Sequence, residues 1–320
     1  MKTDTRVAGS ANGGTAQAWK VHVSLWIVQV AFASQAVEGK VAMTDLAKGG
    51  GGVAPIALAM TRMAGAAIFF VLFTRLRGVL VKTTVREKLV LAGLSVLGIS
   101  LNQTLFLVGL KQTSPTAAAL LSVTIPVFTA AMAVAARIER VSAPLVSGLA
   151  LAVVGVLWLT GVRATDRGAA IVTLNSLSYS AYIVLSRRII QKLGALTVVT
   201  WIFVFGALTF APLGVPVLAH DAAHWTGRSL AFVAYIVAAP TIIAYSCNAW
   251  ALGRSSPTLV TAYVNLQPIL AGLLAWVQLG QPLTSRVLVA AAFILAGVAL
   301  VVTRPPQNRE RVTSPAAPSP

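Results

Sequence analysis

Polar side chains recur at helical spacing in the apolar segment 168–189. Residues three or four positions apart lie on one face of a helix, and this face carries Asn175, Ser178, Tyr179, Tyr182 and Ser186. Amide and hydroxyl groups in this pattern can exchange hydrogen bonds with a small solute, and tyrosine rings add apolar contact. No His/Asp/Ser constellation or metal-ligand cluster with plausible spacing accompanies the stripe, so the chemistry it predicts is binding and not catalysis.

Similar polar groups interrupt other apolar segments. The remaining predicted solute contacts are Trp26, Gln29, Asn102, Gln103, Tyr245, Asn248, Tyr263 and Gln267. The alternative interpretation is structural, because polar residues in membrane helices also join helices through hydrogen bonds of roughly 1 kcal/mol each. Five members on one face favour solute binding for the stripe at 175–186.

Glu38 and Arg62 are ionisable residues within apolar segments, where a charge at mid-depth costs about 2.5–3.5 kcal/mol. We expect one of two arrangements. Either Glu38 and Arg62 form an ion pair that responds to solute or proton, or Glu38 reaches water and Arg62 binds backbone carbonyls. Pro126 and Pro268 are expected to bend their helices, and a gating hinge is the alternative.

Composition places all these residues in a membrane protein. Hydrophobic residues make up 57% of the 320 residues, charged residues make up 10%, and the mean hydropathy is +0.82. Apolar runs of about 20 residues cross a bilayer as helices. We predict an all-α integral membrane fold with ten spans near 21–43, 53–75, 89–109, 115–136, 143–161, 168–189, 195–218, 229–252, 257–279 and 285–303.

The two halves of the chain match at an offset of 142 residues. Pro126 matches Pro268, and Ser114-Pro115-Thr116 matches Ser256-Pro257-Thr258. Ten spans in two copies give five per copy, and an odd number reverses the direction of the second copy. The sequence therefore predicts two inverted five-helix repeats, 21–161 and 168–303, with a solute path between them. Disordered cytoplasmic tails are predicted at 1–20 and 304–320.

Basic residues predict the orientation. With the N-terminus inside, the inner segments hold 17 of the 25 Lys and Arg residues and the outer loops hold 7. The net charge of +17 is dispersed over short loops, which argues against nucleic-acid binding and is explained by anionic lipid. With a single cysteine, Cys247, and no metal-ligand cluster, we predict neither a metal nor a cofactor. The oligomeric state is not readable from the chain.

The chain resembles the EamA-type branch of the drug/metabolite transporter superfamily between residues 21 and 303. The resemblance rests on the order of short motifs, which are Pro55, Arg62, Gly109-Leu110, Thr113-Ser114, Pro126-Val127-Phe128, Glu139-Arg140, Gly148, Gly155, Pro268, Leu279-Gly280 and Gly297-Val298. Gln281 departs from the Leu-Gly-Glu that second repeats commonly carry. The resemblance implies a central cavity lined by helices 1 to 4 and 6 to 9, with helices 5 and 10 at the periphery.

The function that the resemblance implies is secondary transport of small organic solutes across the cytoplasmic membrane. Acidic residues number 8, and few lie in spans, so amino acids, related metabolites or drugs fit better than cations bound by carboxylate pairs. We expect export by alternating access, with both termini cytoplasmic, and a Glu38 that pairs with Arg62 could couple transport to protons. The alternative is a membrane scaffold or receptor without transport activity, and an enzyme is not expected.

Overall fold

A computed structural model of the protein describes residues 8–113, 115–160, 167–279 and 285–302. These residues form helices and turns, and no β-strand occurs among them, which confirms the all-α class. The helices are α1 (Ala8–Ala42), α2 (Pro55–Arg77), α3 (Val85–Gln112), α4 (Pro115–Leu121), α5 (Thr124–Ala135), α6 (Ala143–Thr160), α7 (Arg167–Leu193), α8 (Ala195–Ala222), α9 (Gly227–Leu252), α10 (Pro257–Ala262), α11 (Gln267–Leu279) and α12 (Ser285–Val302).

The apolar helices are long enough for a multi-pass membrane protein. Within the described ranges, five of them satisfy both the length and the composition of a membrane span, namely Pro55–Arg77, Val85–Gln112, Ala195–Ala222, Gly227–Leu252 and Pro257–Gln278. The count of ten spans stays a prediction. Because α1 begins at Ala8, the predicted disordered tail overlaps this helix at 8–20, while 1–7 and 304–320 lie outside the described residues.

The N-termini of α3 and α9 are capped by the same reciprocal hydrogen bonds, at positions 142 residues apart. The Thr84 hydroxyl accepts a hydrogen bond from the Glu87 amide, and the Glu87 carboxylate accepts one from the Thr84 amide. Thr226 and Ser229 form the matching reciprocal pair on α9. Each pair satisfies backbone N–H groups that the first helical turn leaves without partners.

Both helices also contain a π-helical turn at matching positions, Val96–Leu101 in α3 and Ala238–Ile243 in α9. Pro240 explains the second turn, because proline has no N–H to donate to the carbonyl four residues earlier. That carbonyl belongs to Ile236, and the Thr241 hydroxyl donates to it instead at 2.7 Å. The first turn contains no proline, and Gly98, at the position equivalent to Pro240, lies against the Tyr182 ring.

The fourth helix of each repeat is broken near its proline. A turn at 122–123 separates α4 from α5, and it ends three residues before Pro126. A 3₁₀ turn, Tyr263–Leu266, separates α10 from α11 just before Pro268. Both prolines therefore lie beside helix interruptions, as the bending interpretation predicts. A role in gating stays a prediction.

The helices of the two repeats pack between one another. Helix α7 packs against α3 and α5 of the first repeat, and its counterpart α1 packs against α9 and α11 of the second. The paired helices α2 and α8 lie side by side, as do α6 and α12. Every one of these contacts joins the repeats, so the centre of the molecule is built from both halves.

Close helix packing depends on small residues, as is usual in membranes. Helices α3 and α7 meet at Gly109 and Gly168, where a Cβ atom on Gly109 would lie 2.6 Å from Cγ2 of Val172 and 3.0 Å from the Gly168 carbonyl oxygen. A larger side chain at this crossing would force the two helices apart. The crossing holds α7 against α3, which positions the polar stripe of α7 next to the π-helical turn.

Candidate solute-binding site

A central cavity lies between the two repeats, and water-sized molecules can reach ≈ 50 Å³ of it. Among the described residues, its lining comes from α1, α2, α3, α5, α7, α9 and α11 and from the turn after α4, while α6 and α12 contribute none. The lining residues are Phe32, Gln35, Arg62, Asn102, Gln103, Phe106, Ser122, Ile125, Asn175, Tyr179, Tyr245 and Gln267. Seven of the seventeen residues singled out from the sequence meet here: Arg62, Asn102, Gln103, Asn175, Tyr179, Tyr245 and Gln267.

Arg62 is the charged side chain of the cavity, and it is 1% exposed. Its Nε donates to Oγ1 of Thr241 at 2.8 Å, and its Nη2 donates to Oε1 of Gln35 at 2.9 Å. Its Nη1 has no hydrogen-bond partner in the described structure. The guanidinium is therefore held by two neutral groups from α9 and α1, and part of its donor capacity is unused.

The predicted ion pair between Glu38 and Arg62 does not form; both residues are described, and they share no salt bridge. Glu38 is partly exposed and lies three residues nearer the end of α1 than Gln35, which takes the Arg62 side chain. Glu38 therefore lies about 4.5 Å further along the helix, one turn beyond Gln35 on nearly the same face, and the Arg62 guanidinium donates to Gln35 at 2.9 Å instead. The alternative of carbonyl partners for Arg62 is also wrong, since Arg62 donates to the side chains of Thr241 and Gln35.

Side chains from α7 and α9 satisfy backbone groups around the π-helical turn of α3. Ser178 donates to the Leu97 carbonyl at 2.7 Å, and Asn175 Nδ2 donates to the Asn102 carbonyl at 2.6 Å. The Tyr245 hydroxyl lies 3.1 Å from Oδ1 of Asn102. In a membrane interior such carbonyls have no water to bind, so these contacts stabilise the irregular backbone. Ser178 and Asn175 therefore have structural partners, and Asn175 also lines the cavity.

The two tyrosines of the α7 stripe differ in position. Tyr179 lines the cavity, and its hydroxyl accepts a hydrogen bond from Nδ2 of Asn248 at 2.9 Å. Tyr182 stacks on Tyr179 with ring centroids 5.9 Å apart and lies against Gly98 of the π-helical turn. Tyr182 is fully buried and lies behind the lining residues. The sequence placed both on one face but did not show which ring ends at the cavity.

Glutamine side chains provide the remaining polar surface. Gln267 Nε2 donates to Oε1 of Gln29 at 2.8 Å, so Gln29 supports a lining residue from behind. The Gln103 amide is buried, and neither its nitrogen nor its oxygen has a hydrogen-bond partner within the described ranges. Tyr263 bonds to His22 through its hydroxyl and lies outside the described lining.

Trp26 was predicted to contact solute, and the structure corrects this prediction. Its side chain is 45% exposed and shares the outer face of α1 with Val23, Ile27 and Val30. This face points towards lipid. Apolar residues surround the whole of α1 in the sequence, so periodicity did not reveal which face turns inward.

Sequence reasoning missed five lining residues, which are Phe32, Gln35, Phe106, Ser122 and Ile125. Two of them had a usable signal. Phe106 lies four residues after Asn102 and therefore on the same helical face, and Gln35 is a second glutamine within the apolar segment that holds Gln29. Phe32 and Ile125 are apolar residues in apolar helices, and nothing in the sequence distinguishes them from residues that face lipid.

Basic side chains hold matching helix ends on either side of the cavity. Lys40 of α1 donates to the carbonyls of Leu110 (3.0 Å), Lys111 (2.9 Å) and Thr113 (2.8 Å) at the end of α3. Arg187 of α7 donates through Nε to the Ser255 carbonyl at the end of α9 (3.1 Å). Thr113 and Ser255 are 142 residues apart. The two contacts, here called the Lys40 and Arg187 latches, are therefore counterparts in the two repeats.

Known proteins match both the sequence and the fold. The chain is 25% identical over 259 residues to "Protein WALLS ARE THIN 1" of Arabidopsis thaliana, which covers 68% of this chain and 66% of that protein. It is 26% identical over 259 residues to a WAT1-related protein of the same plant, covering 68% and 65%. The chain thus spans slightly less than two thirds of the length of these relatives. A crystal structure of a protein shares the fold with a TM-score of 0.70 at 18% identity, over 88% of this chain and 96% of that one.

The family model of the EamA-like transporter family matches the chain twice, over residues 26–161 and 166–303. The two matches together cover most of the chain, and they include all the helices that line the cavity. Members of this family are transporters and not enzymes. The chain belongs to the EamA-like transporter family and is a multi-pass membrane protein.

Proposed function

We propose that the protein is a secondary transporter that exports small organic solutes, such as amino acids, related metabolites or drugs, across the cytoplasmic membrane by alternating access. The observation that carries this proposal is the central cavity, which both repeats line and in which Arg62 and Gln103 retain unused hydrogen-bonding groups. A ligand site at the interface of two repeats is the arrangement on which many secondary transporters depend.

The two latches support alternating access. If the second repeat is inverted, the Lys40 and Arg187 latches lie at opposite membrane faces, because they occupy equivalent places in the two repeats. Opening one latch while the other stays closed would expose the cavity to one side at a time. Related arrangements in transporters move one repeat against the other around a central site.

The orientation belongs to the same proposal. Both termini, the end of α2 at Arg77 and the last turns of α7 at Arg188 lie in the cytoplasm, and Lys48, Arg163 and Arg228 face outward. The support is the excess of basic residues in the segments assigned to the inside. Single cysteines in a Cys247→Ser background test it with an impermeant maleimide. Labelling of Arg77→Cys in intact cells would refute the inverted arrangement, and Lys48→Cys is the matched outer control.

Flux through proteoliposomes tests transport itself. Vesicles that contain the purified protein are loaded with labelled amino acids, organic acids or dyes, and release is measured with and without an imposed pH gradient. We expect release of at least one class above that from protein-free vesicles, and acceleration by the gradient if protons are coupled. A scaffold or receptor, the alternative function, would release no probe in either condition.

The position of the two tyrosines gives a test of the site. Tyr179→Phe removes a hydroxyl at the cavity, so we expect a loss of apparent solute affinity of about 0.5–1.5 kcal/mol, or roughly two- to tenfold. Tyr182→Phe changes a ring behind the cavity and leaves the affinity unchanged, which reverses the expectation from the sequence. The measurement is the concentration dependence of flux at matched protein content. An equal loss in both variants would show that the effect comes from helix packing.

A further inference from the structure

We propose that the cavity selects solutes that carry a carboxylate, and that Arg62 together with Gln103 forms the carboxylate-binding site. This inference deepens the proposed function and rests on it for the role of the cavity. It narrows the substrate class to organic anions with one carboxylate and an apolar body.

The charge of the cavity supports an anionic ligand. Arginine keeps its charge in proteins, and a buried charge is stable when it is paired or fully hydrogen-bonded. Within the described residues, Arg62 donates to the neutral side chains of Thr241 and Gln35. None of the described lining residues is acidic. A ligand with a negative charge would therefore supply the countercharge that these protein groups do not.

Two buried donors of the cavity lining have no hydrogen-bond partner within the described ranges and can serve a carboxylate. The Nη1 group of Arg62 carries two N–H bonds and has no hydrogen-bond partner among the residues described, although it is fully buried. Gln103 also lines the cavity and offers an unpartnered Nε2 donor. The planar guanidinium suits the two oxygens of a carboxylate, and hydrogen bonds to charged groups are stronger than neutral ones.

Aromatic rings supply the other part of the site. Phe32 and Phe106 line the cavity beside Tyr179 and Tyr245, and the Phe32 and Tyr245 rings meet edge to face with centroids 5.9 Å apart. These surfaces favour an apolar or aromatic ligand body. Because no lining carboxylate in the described part of the cavity could pair with an ammonium group, a monocarboxylate fits better than an amine.

Ligand binding at Arg62 would act on the repeat interface. The guanidinium that meets the carboxylate also donates to Thr241, and the Thr241 hydroxyl closes the π-helical turn of α9. A bound carboxylate would therefore connect α2 with a backbone irregularity in the other repeat through one side chain. This contact provides a direct route from occupancy of the site to movement of α9.

Four probes with the same aromatic body test the proposal on the intact wild-type protein. They are 3-phenylpropionate, its neutral amide 3-phenylpropanamide, the zwitterion phenylalanine and the cation phenethylamine. Binding is measured by calorimetry on purified protein, and flux is measured in proteoliposomes. We expect 3-phenylpropionate to bind at least about tenfold more tightly than the amide, because charge-assisted hydrogen bonds exceed neutral ones. Amide binding as tight as carboxylate binding overturns the proposal, and so does binding of none of the four.

Variants then assign the preference to the two residues. Arg62→Gln should abolish the preference for carboxylate over amide, and Gln103→Leu, which keeps the guanidinium, should reduce it several-fold. Trp26→Phe on the lipid-facing side of α1 is the matched control and should leave it unchanged. If Arg62→Gln does not fold, the probe series on the wild-type protein and on Gln103→Leu still tests whether the cavity selects carboxylates. A preference that survives in Gln103→Leu at full strength removes Gln103 from the site.

The two measurements separate this inference from the proposed function. Flux of amide or amine without carboxylate selectivity would support transport and overturn the carboxylate site. Tight binding of 3-phenylpropionate without flux would support the carboxylate site and count against transport. Selective binding and selective flux together support both.

Discussion

Helices α3 and α9 occupy equivalent places in the two repeats. They have the same backbone conformation, but the side chains that they present to the cavity differ. Each begins with a reciprocal cap, at Thr84 and at Thr226, and each contains a π-helical turn at the same distance from that cap. The side chains beyond the turn differ. Position 103 is glutamine and position 245 is tyrosine, and both line the cavity.

The helices that are interrupted near Pro126 and Pro268 also share a backbone break and differ in the side chains that line the cavity. Ile125 and Gln267 occupy equivalent positions 142 residues apart, and both line the cavity, one as an apolar and one as a polar surface. Duplication thus preserved the backbone irregularities that shape the cavity, while substitution at equivalent positions changed its polarity. A symmetric scaffold with an asymmetric lining is what a site for an asymmetric solute requires.

The largest expected loss of stability follows substitution in the π-helical turn of α3, and the matched substitution in α9 should cost less. Gly98→Ala in α3 would place a methyl group in the ring of Tyr182, so we expect a loss of stability of about 1–3 kcal/mol from overpacking. The equivalent change in α9, Pro240→Ala, restores an N–H that can bond to the Ile236 carbonyl, and we expect a change below about 1 kcal/mol. Thermal unfolding in detergent compares them. Equal shifts in Tm would mean that both turns have one cause.

The next largest effect is expected when a latch is removed. Loss of each latch should open the cavity to a different side of the membrane. Lys40→Met leaves three carbonyls of α3 without their cation, and Arg187→Met does the same to one carbonyl of α9. A loss of 1–2 kcal/mol shifts an equilibrium by about five- to thirtyfold. We therefore expect Lys40→Met to increase maleimide labelling of Ser122→Cys from outside and Arg187→Met to increase it from inside.

The latch experiment uses a Cys247→Ser background, with intact cells for the outer side and everted vesicles for the inner side. Ser122 is a suitable reporter because it is buried and lines the cavity. Increased labelling on the same side in both variants would contradict the assignment of the latches to opposite faces.

The smallest effect is expected at the caps. Thr84→Ala and Thr226→Ala each remove an acceptor for a helix N-terminal amide, and we expect each to lower stability by about 1 kcal/mol. Glu87 and Ser229, which pair with these threonines, should contribute to stability with different dependence on salt. Glu87 also pairs with Lys192 at 2.7 Å, whereas Ser229 donates to the Gly51 carbonyl at 2.7 Å. Salt should weaken the effect of Glu87→Gln and leave that of Ser229→Ala unchanged.

Unfolding at low and high NaCl measures this difference between the caps. The α9 cap carries no charge, and its buried member Ser229 bonds to the loop before α2, so its contribution does not depend on screening. The charged cap on α3 lies at the end that the basic residues assign to the cytoplasm. The same salt dependence for both variants would show that the cap of α3 does not act through its charge.

Local and repeated signals in the sequence predicted much of the fold. Long apolar runs predicted helices, and prolines such as Pro55 and Pro257 lie at the first helical position, where the missing N–H has no cost. The offset of 142 predicted that caps and breaks would recur, since a duplicated segment repeats its local backbone preferences. The spacing of Asn175 and Tyr179 on α7 likewise predicted two lining residues.

The rotation of apolar helices was decided by tertiary structure. In α1 the sequence favoured Trp26, whereas the inward face holds Phe32 and Gln35. Helices inside a bilayer are apolar on the lipid side and on much of the packed side, so hydrophobic periodicity carries little information about their orientation. Neighbouring helices, and not the segment itself, choose the face.

By itself, the sequence determined that the protein is a helical membrane protein built from two copies of one unit, because these properties follow from composition and from comparison of the chain with itself. The tertiary structure decided which groups meet at the centre. Arg62 finds its partners on α1 and on α9, and one of these, Thr241, is 179 residues away. Contacts at such separation depend on how the helices pack against one another, and that packing is a property of the whole bundle and not of any segment.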